Sequence, residues 1–168
     1  PYNKNMSIKI KNKYTLLFDE FEFKCCIGAS GFTSDKYEGD KKTPTGLFSL
    51  GDLYYRSDKV EKPRTKLKCI KIQKNMGWCN DINSKFYNKE IKIKKKGRYE
   101  KLFRNDYKYD YLIPIKYNWL KPKKNKGSAI FIHLTKNYNP TAGCIALSLK
   151  DFLILVKLIK KNTKIRII

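Results

Sequence analysis

Histidine is almost missing from this sequence: His133 is the only one in 168 residues. A lone imidazole leaves few metal ligands. The five cysteines, Cys25, Cys26, Cys69, Cys79 and Cys144, show no C-x-x-C spacing, so a zinc site is not expected. Long apolar runs are also missing. Nothing approaches the ~20 residues of a membrane-spanning helix, so no transmembrane segment is expected. Arginine is scarce, with Arg56, Arg64, Arg98, Arg104 and Arg166 standing among 38 basic residues. Phosphate and base-edge recognition favours the planar guanidinium fork, and no nucleic-acid motif is visible, so no specific nucleic-acid partner is expected.

Acidic residues number only 15, which leaves a formal charge of +23. The charge has two readings. One is attraction to a polyanion: nucleic acid, anionic lipid or anionic cell wall. The other is compositional drift with a solvated lysine surface, since Lys, Asn, Ile and Tyr are all abundant, as an AT-rich coding sequence would give. At 41% hydrophobic and 14% aromatic residues, the chain carries enough apolar material for one globular core, so disorder is not expected. No repeat or linker divides it. The chain begins at Pro1 rather than Met, as in a processed or trimmed form, and shows no signal-peptide pattern. The odd cysteine count leaves at least one thiol free, and it equally suits a wholly reduced protein.

Many short strands and one helix are predicted. Met6 to Ile10 and Tyr14 to Phe18 flank the polar turn Lys11-Asn12-Lys13, and Phe21 to Ile27 alternates with Phe21, Phe23 and Cys25 on one face. Gly28 to Gly31 breaks that run. Thr33 to Thr45 reads as a polar surface loop closed by a rigid turn, Thr43-Pro44-Thr45-Gly46. Gly46 to Tyr55 and Leu67 to Ile72 read as strands. Asp81 to Lys96 reads as an exposed excursion, and Tyr99 to Arg104 as a short helix. Tyr107 to Tyr117 is strand-like, with Pro114 arguing for an edge or an interruption. Ser148-x-x-Asp151 is a capping-box-like start to a helix with Phe152, Leu155, Val156 and Ile159 on one face and Asn162 as its end. Ile165 to Ile168 is a closing strand. The fold class is therefore mainly β (α+β), in one domain.

The chemistry-bearing stretch is Gly127 to Leu149. Ala129-Ile130-Phe131-Ile132 reads as a buried strand with His133 at its end. Asn137-Tyr138-Asn139-Pro140 is turn-rich. Thr141-Ala142-Gly143-Cys144 then re-enters an apolar run, Ile145-Ala146-Leu147. A strand, a loop and a return bring a thiol and an imidazole close, the arrangement of a nucleophile and its base. A free thiol has a pKa near ~8.5, and an imidazole neighbour favours a thiolate–imidazolium pair. Gly143 permits a sharp turn whose N–H groups face an oxyanion. The alternative is a small buried Cys144 and a satisfied strand-end His133.

This stretch resembles the catalytic motif of the YkuD-type L,D-transpeptidase family, in which a His on a strand precedes a Ser/Thr-x-Gly-Cys turn. The segment Glu38-Gly39-Asp40-Lys41-Lys42-Thr43-Pro44-Thr45-Gly46-Leu47-Phe48 resembles the family's E-G-D-x-x-T-P-x-G-x-F. Met76-Gly77-Trp78-Cys79 is similar to a Gly-Trp-Cys segment in one branch. The resemblance implies a β-sandwich-like catalytic domain spanning residues 1–168, with few helices and one near the C-terminus. It also implies cysteine-dependent acyl transfer on peptidoglycan stem peptides through a covalent acyl-enzyme. Cys144 would be nucleophile and His133 base. Gly143 would supply an oxyanion donor, and the Leu134 carbonyl would orient the imidazole. Thr141, Trp78, Tyr138 and Arg104 would contact substrate. No cofactor or metal is implied; carbapenem-type inhibitors would acylate Cys144, and the location would be the cell envelope or periplasm.

The chain departs from the family pattern in its short His-to-Thr connection, in Leu134 directly after the His, in Ala142 where a second His is usual, and in Ala146 where Arg is usual. An L,D-carboxypeptidase or amidase using the same dyad is one alternative. A polyanion-binding module without turnover is another, resting on the charge and the twelve tyrosines. Exposed charges are screened beyond a Debye length of about 8 Å at physiological salt. Under the drift reading, sedimentation of the protein with wall sacculi should therefore depend only shallowly on salt. A steep loss of binding between low and physiological salt would establish the charge as functional.

Overall fold

The structure, a computed structural model, describes residues 6–94 and 96–168; residues 1–5 and Lys95 of the expected single domain lie outside that range. The chain opens with β1 (Ile8–Asn12), β2 (Thr15–Phe18) and β3 (Phe21–Lys24), then β4 (Phe32–Thr33), β5 (Thr43–Pro44), β6 (Gly46–Ser49) and β7 (Leu53–Tyr55). β8 (Cys69–Lys71), β9 (Met76–Cys79), β10 (Glu90–Lys92), β11 (Tyr99–Lys101) and β12 (Tyr111–Pro114) follow. β13 (Phe131–Leu134), β14 (Ile145–Leu147), α1 (Leu149–Leu158) and β15 (Lys164–Ile167) close it. Strands dominate and the helix lies near the C-terminus, as the sequence leads one to expect.

One five-stranded sheet runs β3-β2-β1-β15-β6, and a second runs β14-β13-β12-β7-β8. β10-β9-β11 form a smaller sheet, and β4 pairs with β5. The middle strands of the second sheet, β13, β12 and β7, are buried on both faces and so do not alternate between buried and exposed residues. Ile113, Ile132 and Ile145 point toward the first sheet and meet Ile8, Leu16 and Ile165 in one core, with Phe152, Leu155 and Val156 of α1. Leu112, Phe131 and Cys144 point the other way and meet Trp78, Leu102 and Tyr109. The period of two along each strand thus places the Cys144 side chain away from the sandwich core.

Several expectations need correction. Tyr99 to Lys101 is a strand rather than a helix: Tyr99, Glu100 and Lys101 pair with Cys79, Trp78 and Gly77, and sheet pairing overrides the helical spacing of the apolar residues. Gly46 to Tyr55 is two strands in different sheets. Thr43-Pro44-Thr45-Gly46 is extended, with Thr43 and Pro44 paired to Phe32 and Thr33, rather than a turn. β12 is central, not an edge; Pro114 is its last residue, where it is only an acceptor, receiving the Gly51 N–H at 2.8 Å. The helix stops at Leu158 rather than Asn162, because the Thr163 hydroxyl takes the Lys160 N–H and turns the chain into β15. Its start is as expected, the Ser148 side chain accepting the Asp151 N–H.

The segment 81–96, expected as an exposed excursion, instead carries β10, paired with β9, and a buried tertiary anchor. Asn88 is buried at φ 57°, in the left-handed region that Asn tolerates. Its Oδ1 accepts from Trp78 Nε1 at 2.8 Å and from the Ala129 N–H at 3.0 Å. Its Nδ2 donates to the Tyr117 and Asn118 carbonyls at 3.0 and 2.7 Å. Asn88→Ala should cost about 3 kcal/mol, since it orphans several buried groups at once. Urea denaturation at neutral pH measures it, and a loss below ~1 kcal/mol would contradict this account.

Candidate active site

β13 and β14 run parallel, with Ile132 opposite Ile145 and His133 opposite Ala146. Phe131, His133 and Ala146 therefore share one face, and Cys144, the residue just before β14, joins it beside Phe131, one side-chain step from His133. His133 is the last but one residue of β13, close to the strand end where the sequence placed it. Both residues line a cleft of about 370 Å³ bounded by the 36–39 loop, Glu100, Arg104, Ser128 and the 137–142 loop.

The turn before Cys144 is held from three sides. Gly143 has φ 143°, and a Cβ there would fall 2.8 Å from the Lys42 carbonyl oxygen, so only glycine fits. Its carbonyl accepts from Thr43 Oγ1 at 2.8 Å, and Thr43 Oγ1 in turn accepts the Gly28 N–H at 2.9 Å. That is the physical task of the first Thr in Thr-Pro-Thr-Gly. Thr141 Oγ1 donates to the Cys144 carbonyl at 2.6 Å and accepts the Gly143 N–H at 3.1 Å.

The thiol and the imidazole are both buried and both neutral. Cys144 Sγ donates to the Ala129 carbonyl at 3.2 Å and accepts the Phe131 N–H at 3.3 Å. Burial, with Glu100 adding to it, pushes the thiol up to about 12. His133 Nδ1 lies 2.9 Å from the Leu134 carbonyl, which can only accept, so Nδ1 carries the proton and Nε2 keeps the lone pair. Burial lowers the imidazole to about 4. The expected thiolate–imidazolium pair is thus not the resting state: a low-dielectric site favours the uncharged forms. Among the described residues no cysteine is in a disulfide.

The other expected contact residues divide. Thr141 and Arg104 line the cleft. Arg104 already holds Asp106 with two hydrogen bonds, at 2.9 and 2.5 Å, and lies over the Tyr109 ring. Trp78 is not on the cleft wall: it is 2% exposed, packs edge-on against Phe131, and gives its N–H to Asn88. Tyr138 does not line the cleft either; its ring lies under Lys24 Nζ at 4.3 Å, while its neighbours Asn137 and Asn139 face the opening. Sequence reasoning missed the buried Lys36, and it missed Glu38, Ser128, Glu100 and Tyr109. Glu38 accepts from Tyr87 and Ser128 hydroxyls, Glu100 accepts from the Tyr109 hydroxyl, and burial raises Glu100. Glu38 opens a motif the sequence did show and Lys36 lies just before it, whereas Glu100 was hidden by the mistaken helix.

The YkuD family model, described as the L,D-transpeptidase catalytic domain, matches residues 8–167. The chain belongs to this family. No curated protein sequence matches it. Among solved structures, the YkuD-family chain is similar to Bd1075 of Bdellovibrio bacteriovorus at 15% identity and TM-score 0.50, covering 98% of this chain and 48% of that one. For the helical cell shape determining protein Pgp2 of Campylobacter jejuni the values are 19% and 0.49, with 96% and 46% covered. For L,D-transpeptidase 1 of Mycobacterium tuberculosis they are 12% and 0.39, with 96% and 62% covered. The chain spans about half the length of the first two.

A buried neutral imidazole fixes the sign of two pH effects. The unfolded chain takes up a proton near pH ~6.5, and the folded chain only near 4, so stability is full above ~6.5 and falls as the pH drops toward 4. The loss attributable to His133 is about 3 kcal/mol, and His133→Gln should remove it from urea-denaturation profiles. Reaction at Cys144 should likewise keep its acid limb near pH 4; an inflection near ~6.5 would contradict the burial account.

Proposed function

We propose that this domain catalyses acyl transfer on peptidoglycan stem peptides, with Cys144 as nucleophile and His133 as base. The observation that supports it most is the shared face of β13 and β14. That face puts a thiol, and an imidazole whose Nε2 is unspent, in one cleft. Family membership supplies the substrate class. The location that goes with it is the cell envelope.

In the proposed sequence Sγ leaves the Ala129 carbonyl, gives its proton to His133 Nε2 and bonds to the peptide carbonyl carbon. The carbonyl electron pair moves onto oxygen. The oxyanion then collapses, the C–N bond breaks, and the leaving D-amino acid takes the proton from Nε2. A thioester remains on Cys144. An amine of a neighbouring stem completes a transpeptidation, and water completes a carboxypeptidase or amidase reaction. The Leu134 carbonyl holds the ring in the tautomer that this sequence needs. Because the resting pair is neutral, the thiolate exists only with substrate present, when attack and proton transfer are coupled.

Digestion of isolated peptidoglycan followed by mass analysis of the fragments tests the reading. Cross-linked or shortened stems should appear with the wild-type chain. Cys144→Ala and His133→Ala should each lower turnover by about 10⁴-fold or more while leaving the fold intact, and their effects should not add. A Cys144→Ala protein with near-normal activity would sink the mechanism.

A carbapenem should leave one adduct per chain, on Cys144, by intact mass. An adduct on Cys25, Cys26, Cys69 or Cys79 instead would count against the assignment.

A further inference from the structure

Lysine is the commonest surface charge of this chain, yet Lys36 is buried, only 4% exposed. Lys36 and Arg56 are the two buried lysine or arginine side chains among the described residues. Arg56 is accounted for by the Asp58 carboxylate and by the Phe103 ring beneath it, 3.5 Å away. Lys36 is held differently. Its stem lies over Gly127, where a Cβ would fall 3.1 Å from its Cγ and Cε. Its Nζ donates to Asp40 Oδ1 at 2.6 Å and to the Tyr37 carbonyl at 3.3 Å. Asp40 is itself fixed by the Tyr37 and Lys42 N–H groups, each at 2.9 Å. An ammonium has three donors, and two are used.

The third donor is next to the nucleophile's turn. Nζ lies 3.6 Å from the point a Cβ on Gly143 would occupy, and Lys36 and Cys144 line the same cleft. Acyl attack at Cys144 needs donors for the oxygen that becomes negative. The Gly143 N–H, a natural choice from sequence, is already given to Thr141 Oγ1. The turn therefore lacks one free amide at the place where a charged donor stands ready. A fixed, buried ammonium beside a developing oxyanion stabilises the transition state without reorganising.

We propose that Lys36 is a catalytic residue, its ammonium donating to the oxyanion that forms when Cys144 adds to an acyl carbonyl. This rests on Cys144 being the acyl nucleophile, but not on the acyl donor being a wall peptide. As the Sγ–C bond forms, the carbonyl π pair moves to oxygen and the Lys36 N–H receives it. As the leaving group departs with the proton from His133, the carbonyl re-forms and Lys36 is unchanged. Asp40 is a positioning residue that keeps the ammonium in place.

The test compares two reactions of Cys144 in the full chain, with the Cys144→Ala background subtracted. Acylation by p-nitrophenyl acetate passes through an oxyanion, whereas alkylation by iodoacetamide does not. In Lys36→Met the nitrophenol burst should slow by about 10²–10³-fold, with alkylation little changed. Lys36→Met/Asp40→Asn, which removes both charges and leaves no orphaned carboxylate, should show the same split. Lys36→Arg should recover part of the acylation rate. A parallel fall of both reactions would make Lys36 a structural staple and overturn the proposal. So would an unchanged burst, or a wild-type chain that alkylates but does not acylate. If the ester results hold while peptidoglycan is left untouched, the wall-substrate reading fails and Lys36 keeps its role.

Discussion

The four hydrogen bonds of Asn88 are the constraint on which the site rests. They tie the small sheet, through Trp78, to the backbone entering β13, through Ala129, and to the chain leaving β12 at Tyr117 and Asn118. Ala129 is held at φ 54°, a conformation a non-glycine residue adopts only when its surroundings impose it. Its carbonyl then faces the Cys144 thiol. A single amide side chain, buried where loss of any partner costs dearly, thus sets the direction of the Cys144 thiol from a loop more than fifty residues upstream.

Electrostatics complete the description. Cys144 and His133 are both kept uncharged by burial, while the cleft wall carries Lys36, Arg104 and Lys108 on one account and Glu38 and Glu100 on the other. Arg104 and Lys36 are already paired with Asp106 and Asp40. The site is thus a preorganised set of fixed charges around a neutral pair. Such a set stabilises charge that appears during reaction more than charge already present.

What could be read from the sequence was local or chemically rare. His133 stood out because it has no rival, and Cys144 because a glycine precedes it at the return of an apolar run. Ser148 announced the helix because an N-cap acts within one turn. The Leu134 carbonyl followed from the resemblance. What could not be read was set by distant pairing. Tyr99 to Lys101 looked helical, and became a strand because β9 offered it a partner. Trp78 was expected against substrate, and its hydrogen bond to Asn88 makes it a core anchor instead. Lys36 could not be told from dozens of solvated lysines, since its burial depends on two glycines some ninety and a hundred residues away.

The hydrogen bond from the thiol to the Ala129 carbonyl has a bearing on durability. Peroxides attack the thiolate, and a thiol kept protonated and out of water is a poor target for them. In the proposed mechanism Cys144 would reach its reactive form only while a substrate fills the cleft and stands between sulfur and solvent. The remaining cysteines are thiols too, so no crosslink has to form or survive for the fold to hold. A thiol held this way tolerates oxidising surroundings that would consume a permanently ionised one.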